Sequence, residues 1–242
     1  MTADQLNNSA PRPSAKQIKK RLTNKAFHYL GRYASTSSRL ETILRKFAQR
    51  KLDRADPALL DQIIREVTEN CVRLGYIDDE AFIRSQFRQG LRSGFSQRRI
   101  LLKLAQKGIS RDLAEAVMDE QTSRAADKKD SELAAALIYA RKKSVGPYSR
   151  AELHPEVNKR HLARLARNGF AFDVAKQVMA LPSADAADEL LDKIYPHQLD
   201  CSNNRTDCQR ENPTYVFAIL HVSAYKRGMI LSLIKEVSGG DR

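Results

Sequence analysis

The chain has 242 residues, 42 Lys+Arg, 29 Asp+Glu and a formal net charge of +13. Length allows one or two domains, and the charge favours anionic partners: nucleic acid, a nucleoprotein or an acidic protein surface. No Trp, only 10 Gly and three irregularly spaced Cys argue against a turn-rich sheet protein and a disulfide framework, so an all-α protein of a reducing, cytoplasmic compartment is expected.

Residues 1–15 are polar, contain Pro11 and Pro13 and lack periodicity, so a disordered tail is expected. They have no apolar core of a secretory signal. From Lys16 to Leu181 the pattern predicts successive helices. Ser38 with Glu41 reads as a capping box, and Asp56-Pro57 as an N-cap followed by proline at the first helical position. Asp78 precedes acids Asp79 and Glu80 in a first turn, Ser110 with Asp112 opens another helix, and Ser131-Glu132 opens "SELAAALIYARKK", which ends in cations as the helix dipole prefers.

An internal repeat orders these helices. Gln97–Met118 lies on Asn158–Met179 without a gap, placing Leu101 on Leu162, Leu104 on Leu165 and Gly108 on Gly169. A weaker echo, "ILRKFAQRK" (Ile43–Lys51), resembles "ILLKLAQKG". The expected organisation is a first three-helix repeat over 16–76, a second over 77–122 and a third over 128–181. Their leading helices contain "KAFHYLGRY", "DEAFIRSQFRQGLR" and "SELAAALIYARKK". Such repeats stack into an elongated, curved helical body. Residues 182–242 form a C-terminal extension without a definite assignment, in which "PSADAADELLDK" suits one more short helix. The most apolar run, Tyr215–Tyr225, is about half the ~20 residues that span a bilayer, so no membrane partner is expected.

The stretch "GFSQRRILLKLAQKGIS" (94–110) poses an electrostatic question. Ser96 suits an N-cap and Gly108 a stop, yet Arg98 and Arg99 occupy the first turn, where the dipole favours carboxylates. Lys159 and Arg160 hold the matching positions of the third repeat. Arg84, Arg88 and Arg92 share one helical face, and Lys103 and Lys107 continue the charge after Arg99. Arg164 and Arg167 extend it in the third repeat, as do Arg39, Arg45, Lys46 and Arg50 in the first. The ordinary reading is that cations solvate outer helix faces. Placement against the dipole, at a few tenths of a kcal/mol each, points instead to an anionic partner. Alanine at both Arg98 and Arg99 is then expected to weaken binding without loss of helix stability.

Catalytic signatures are lacking: no phosphate-binding glycine loop, no H-E-x-x-H and no G-x-S-x-G. Asp78-Asp79-Glu80 reads as a helix start, not an acid/base pair. His197, Cys201, Cys208 and His221 match no common zinc spacing. His28 and His161 read as packed or solvated, and Cys71 as a small core residue. Neither catalytic residues, metal nor cofactor is expected.

"LGYIDDEAFIRSQFRQGLRSGFSQRRILLKLAQKGIS" (74–110) closely resembles the central signature of the RecX family, regulators of the recombinase RecA. "YLGRYASTSSRLETILRK" (29–46) resembles the family's first repeat, and "VGPYS" with "LARLARNGFAFDVAKQVM" its third. Glu41 departs from the pattern, and residues after about Ile194 have no counterpart in it. The resemblance implies tandem three-helix units. It also implies a monomeric, non-enzymatic protein that binds RecA and its DNA filament, and single- or double-stranded DNA directly. Such a protein inhibits recombinase, ATPase and coprotease activity in DNA repair and the SOS response. Arg84, Arg88, Arg92, Arg98, Arg99, Lys103, Lys159 and Arg160 are the expected contacts. The alternative is a helix-turn-helix transcription regulator. It is disfavoured because the helix after Gly108 carries Asp112, Glu115, Asp119 and Glu120, which phosphates would repel.

Overall fold

The computed structural model describes residues 13–53, 55–124, 128–150 and 154–194. Among these are ten α-helices, one 3₁₀ turn and no strand. The helices are α1 (Ala15–Leu30), α2 (Ser37–Lys51), α3 (Pro57–Arg73), α4 (Asp79–Arg92), α5 (Gln97–Gln106), α6 (Arg111–Arg124), α7 (Lys128–Lys143), α8 (Pro155–Arg167), α9 (Phe172–Met179) and α10 (Ala184–Ile194). The 3₁₀ turn, Gly146–Tyr148, lies between α7 and α8. The chain divides into two compact units, one reaching Asp79 and the other beginning at Glu80.

In the first unit each helix buries residues about one turn apart. These are Ile18, Leu22, Ala26 and Leu30 on α1, Leu40, Leu44 and Ala48 on α2, and Ile63, Ile64, Val67 and Cys71 on α3. Ser14 caps α1 in a reciprocal box with Gln17, so the helix begins at Ala15 and the tail expected through residue 15 ends earlier. Residues 1–12 lie outside the described part. Asp56 caps α3 as expected, accepting the Leu59 N–H at 3.0 Å. The α2 cap is Thr36, not Ser38: extended Thr36 accepts the Arg39 N–H at 3.2 Å, which draws Ser38 into the first turn. Glu41 pairs with Arg45 at 3.2 Å instead.

Burial alone pushes the Cys71 thiol up to about 11. Iodoacetamide at pH 7 is therefore expected to leave the Cys71 peptide unmodified in the folded chain and to alkylate it in urea, as read by peptide mass spectrometry. Labelling of folded protein would contradict this packing.

The second unit is built around α7. Leu133, Ala134, Ala135, Ala136, Leu137, Ile138 and Ala140 are all buried, so this helix is enclosed nearly all round. α6, α9, α10 and the 3₁₀ turn pack against it, and α9 also packs on α8. α7 begins at Lys128, three residues before the expected Ser131-Glu132 start, because Ser131 is already buried inside the helix. α10 contributes Ala187 and Leu191 to the same core, and the Ser183 hydroxyl accepts the Ala186 N–H at 3.2 Å. The short helix anticipated in "PSADAADELLDK" thus forms and joins the core of the second unit. Residues 195–242 lie outside the described part.

Positions paired by the sequence repeat share their environment: Leu104 and Leu165 are both buried, and Gly108 and Gly169 both have positive φ, 77° and 94°. The first repeat keeps a different register from its echo. Cap Thr36 corresponds to cap Ser96, and buried Leu40 and Leu44 correspond to buried Ile100 and Leu104. The matching letters of "ILRKFAQRK" are displaced by about one helical turn, which preserves a helical pattern while shifting each residue's equivalent.

Candidate anion-binding interface

At the start of α5, Ser96 is fully buried. Its Oγ accepts the Arg99 N–H at 3.2 Å and donates to the Asn168 carbonyl at 2.6 Å. The Gln97 N–H donates to the Glu132 carboxylate of α7 at 3.0 Å. The acid missing from the first turn of α5 therefore comes from the leading helix of the next repeat. The first unit does the same: the Ser37 N–H at the start of α2 donates to the Asp79 carboxylate at 3.0 Å. In both cases a negative group meets the positive end of the helix dipole.

Arg99 is committed to this junction. Its guanidinium donates to the Asn168 side-chain oxygen and lies 4.4 Å from the Phe95 ring centroid. Asn168, 5 % exposed, donates in turn to the Gly94 carbonyl at 3.2 Å. A buried amide, bonded at both its oxygen and its nitrogen, joins the α4–α5 turn to the end of α8, where an unmet polar group would cost about 1–3 kcal/mol.

The other cations of α5 point outward. Arg98 is exposed and has no ion-pair partner among the described residues; its Cβ would lie 3.4 Å from a Cβ added at Gly169. Leu102, one turn further on, is 60 % exposed. Lys103 Nζ stands 3.7 Å from the Phe95 ring centroid, and partial burial, then Arg99, then Lys107 lower its pKa. Lys107 stands over Phe82 at 4.9 Å. Beside Lys103, a cleft of about 200 Å³ between α4 and α5 is lined by Gln86, Gln89, Ser93 and Phe95.

The remaining expected contacts divide by their partners. Arg84 sits 2.6 Å from Glu80 and 3.8 Å from Glu120, so its charge is met within its own repeat. Arg88 is exposed without an ion-pair partner among the described residues, and exposed Arg92 ends α4. Lys159 pairs with Glu156 at 2.9 Å, and Arg160 Nε donates to the Glu156 carbonyl at 3.4 Å. Helical spacing places cations on a face but does not reveal carboxylates arriving from other helices, as Glu120 does at Arg84.

Two cations outside the expected set join this region. Lys142 Nζ donates to the Arg92 carbonyl at 3.3 Å, and an Arg164 guanidinium nitrogen donates to the Lys143 carbonyl at 3.2 Å. In sequence the run "ARKK" reads as a simple helix C-terminus, which masks its proximity to α4 and α8.

His161, expected as packed or solvated, accepts the Gly146 N–H at Nδ1, 3.1 Å. Burial, then Arg164, then Arg160 lower its pKa below the ordinary 6.5. Protonation removes the acceptor, and the unfolded chain takes up that proton first. His161 therefore stabilises the fold fully above pH 6.5, and the contribution declines as pH falls through 6.5 toward its lower folded value. Thermal denaturation at stepped pH is expected to show this decline in the parent chain and a flatter profile in H161Q. Identical profiles would remove His161 as the cause.

Among the described residues no group of three or more His, Cys, Asp or Glu is placed to hold a metal ion. His197, Cys201, Cys208 and His221 lie outside the described part. No described helix is long and apolar enough to cross a membrane.

Comparison with known proteins matches this architecture. Residues 78–118 fit the family model of the RecX second three-helix domain, which spans α4, α5 and most of α6. The chain is 32 % identical over 173 residues to the regulatory protein RecX of Agrobacterium fabrum, covering 70 % of this chain and 87 % of that protein. It is 33 % identical over 179 residues to the regulatory protein RecX of Myxococcus xanthus, covering 73 % and 93 %. The crystal structure of RecX from Lactobacillus salivarius shares the fold with a TM-score of 0.52 at 19 % identity, over 68 % of this chain and 96 % of that one. The tandem three-helix repeats and the extent of these matches establish that this chain belongs to the RecX family of regulatory proteins.

Proposed function

We propose that this protein binds RecA–DNA filaments and restrains their recombinase, ATPase and coprotease activities, acting by occupancy and not by catalysis. The observation that supports this reading most directly is the outer face of α5. Glu132 already satisfies the helix start, yet Arg98 remains exposed, without an ion-pair partner among the described residues, beside exposed Leu102 and the crowded cations Lys103 and Lys107. A cationic rim around an apolar side chain suits a partner presenting acidic groups and an apolar notch, as a protein surface within a nucleoprotein does. Arg88 and Arg92 extend the cationic surface along α4.

The helix-turn-helix alternative gains nothing from α6, whose Glu115 pairs with Arg111 at 2.7 Å and whose Glu120 faces Arg84. In the deciding experiment, single-stranded-DNA-dependent ATP hydrolysis by RecA is titrated with this protein at low salt. Hydrolysis is expected to fall toward a low plateau and to recover as salt rises. Undiminished hydrolysis at stoichiometric protein would remove the reading.

A further inference from the structure

We propose that the tip of α7, Lys142, Lys143 and Ser144 with Arg164 of α8 beside them, is a second contact site, one for the phosphates of nucleic acid. It rests on the filament reading above and deepens it, giving the nucleic-acid component to this tip while the Arg98–Leu102 face of α5 meets protein.

Two helices, α7 and α8, bring cations together here. Lys142 reaches the end of α4 through the Arg92 carbonyl, and Arg164 reaches the end of α7 through the Lys143 carbonyl. Lys142, Lys143, Ser144 and Arg164 are all exposed. Cations at helix C-termini are ordinarily explained by the dipole, and Lys142 and Arg164 do bond terminal carbonyls. Lys143 does not fit that explanation: its side chain has no hydrogen-bond or ion-pair partner among the described residues. One turn before the tip, Arg141 pairs with Asp188 at 3.6 Å, and Asp188 also accepts from Tyr148 at 2.6 Å.

Ser144 is the second observation. It has φ 51°, the one non-glycine residue with positive φ among the described residues. Four other helix ends turn in this way, and they use glycine: Gly75, Gly94, Gly108 and Gly169. A serine there carries backbone strain that glycine avoids, and it places a hydroxyl between Lys143 and the 3₁₀ turn. Arginine, lysine and serine side chains are the groups that hold phosphate oxygens without reading sequence. The exposed large apolar residues of this unit, Leu102 and Phe172, stand on α5 and α9 and not at this tip. An all-polar cationic tip fits phosphates better than the apolar centre of a protein interface.

Fluorescence anisotropy with a short labelled oligothymidylate, without RecA, tests the assignment. K143Q is expected to weaken binding several-fold and to flatten the slope of log K against log salt by about 0.7, one single-strand phosphate contact. S144G is expected to fold at least as stably as the parent, by thermal denaturation, yet to bind more weakly with an unchanged slope. R98A is expected to leave oligonucleotide binding intact. Parental affinity and slope in K143Q would overturn the assignment, as would failure of the parent chain to bind the oligonucleotide at low salt. So would a K143Q defect confined to RecA without DNA, which would give the tip to an acidic protein surface. The ATPase titration with the parent chain stands apart from all three outcomes, so inhibition can persist when this site fails.

Discussion

Replacing Gly94 with alanine is expected to destabilise the second unit by roughly 2–5 kcal/mol, combining left-handed strain with overpacking. Gly94 has φ 77°, and a Cβ built there would lie 2.8 Å from the Tyr139 backbone nitrogen, 3.0 Å from its Cα and 3.2 Å from the Ala135 carbonyl oxygen. These are main-chain atoms of the most enclosed helix in the unit, so no side chain can swing aside to make room. Gly75 separates the two contributions: its φ is 73°, but nothing lies within 4 Å of an added Cβ. G75A is expected to cost only about 1–2 kcal/mol, the strain alone. Urea titrations followed by circular dichroism would measure both. Equal losses would mean that the turn conformation, and not the approach of the α4–α5 turn to α7, fixes the glycine.

Much of this molecule can be read from local signals. Helix placement follows caps and apolar spacing, and the repeat of α5 and α8 follows from an ungapped match that includes paired glycines. Non-local partners are different. Thr36 displaced Ser38 as a cap because two hydroxyls lie within reach of one helix start, and sequence does not rank them. The register of the first repeat slipped because a helical pattern tolerates a shift of one turn. Among the expected contacts, Arg88 and Arg98 stay exposed without ion-pair partners among the described residues, whereas Arg84 and Lys159 lie against Glu80 and Glu156. Glutamates three or four residues upstream do make those two pairs foreseeable from spacing. No spacing rule foresees Glu132 capping α5 from another helix, or Lys142 meeting the end of α4. Those contacts exist only once α7 is buried, and its burial depends on the alanines that let neighbouring helices close around it.

Arg98 and Arg99 look alike in sequence and are expected to part company on substitution. R99A removes a donor to Asn168 and the cation over Phe95, and is expected to cost about 1–3 kcal/mol. N168A is expected to cost about 2–4 kcal/mol, since it strands the Gly94 carbonyl as well as Arg99 in a network whose members are mutually dependent. R98A, at an exposed side chain without an ion-pair partner among the described residues, is expected to stay within about 0.5 kcal/mol of the parent. Inhibition of RecA should order the two arginines in reverse. At a temperature where both variants are folded, R98A is expected to raise the half-inhibitory concentration about three- to tenfold, or roughly 0.7–1.4 kcal/mol. R99A should raise it less. A double-mutant cycle across Arg99 and Asn168 should return a coupling of about 0.5–3 kcal/mol in stability, and one across Arg98 and Asn168 close to none. The earlier expectation that both arginines can be removed without loss of stability then holds for Arg98 alone, because only Arg98 leaves its charge at the surface. Loss of stability in R98A with unchanged inhibition would reverse the assignment and make the outer face of α5 a structural surface.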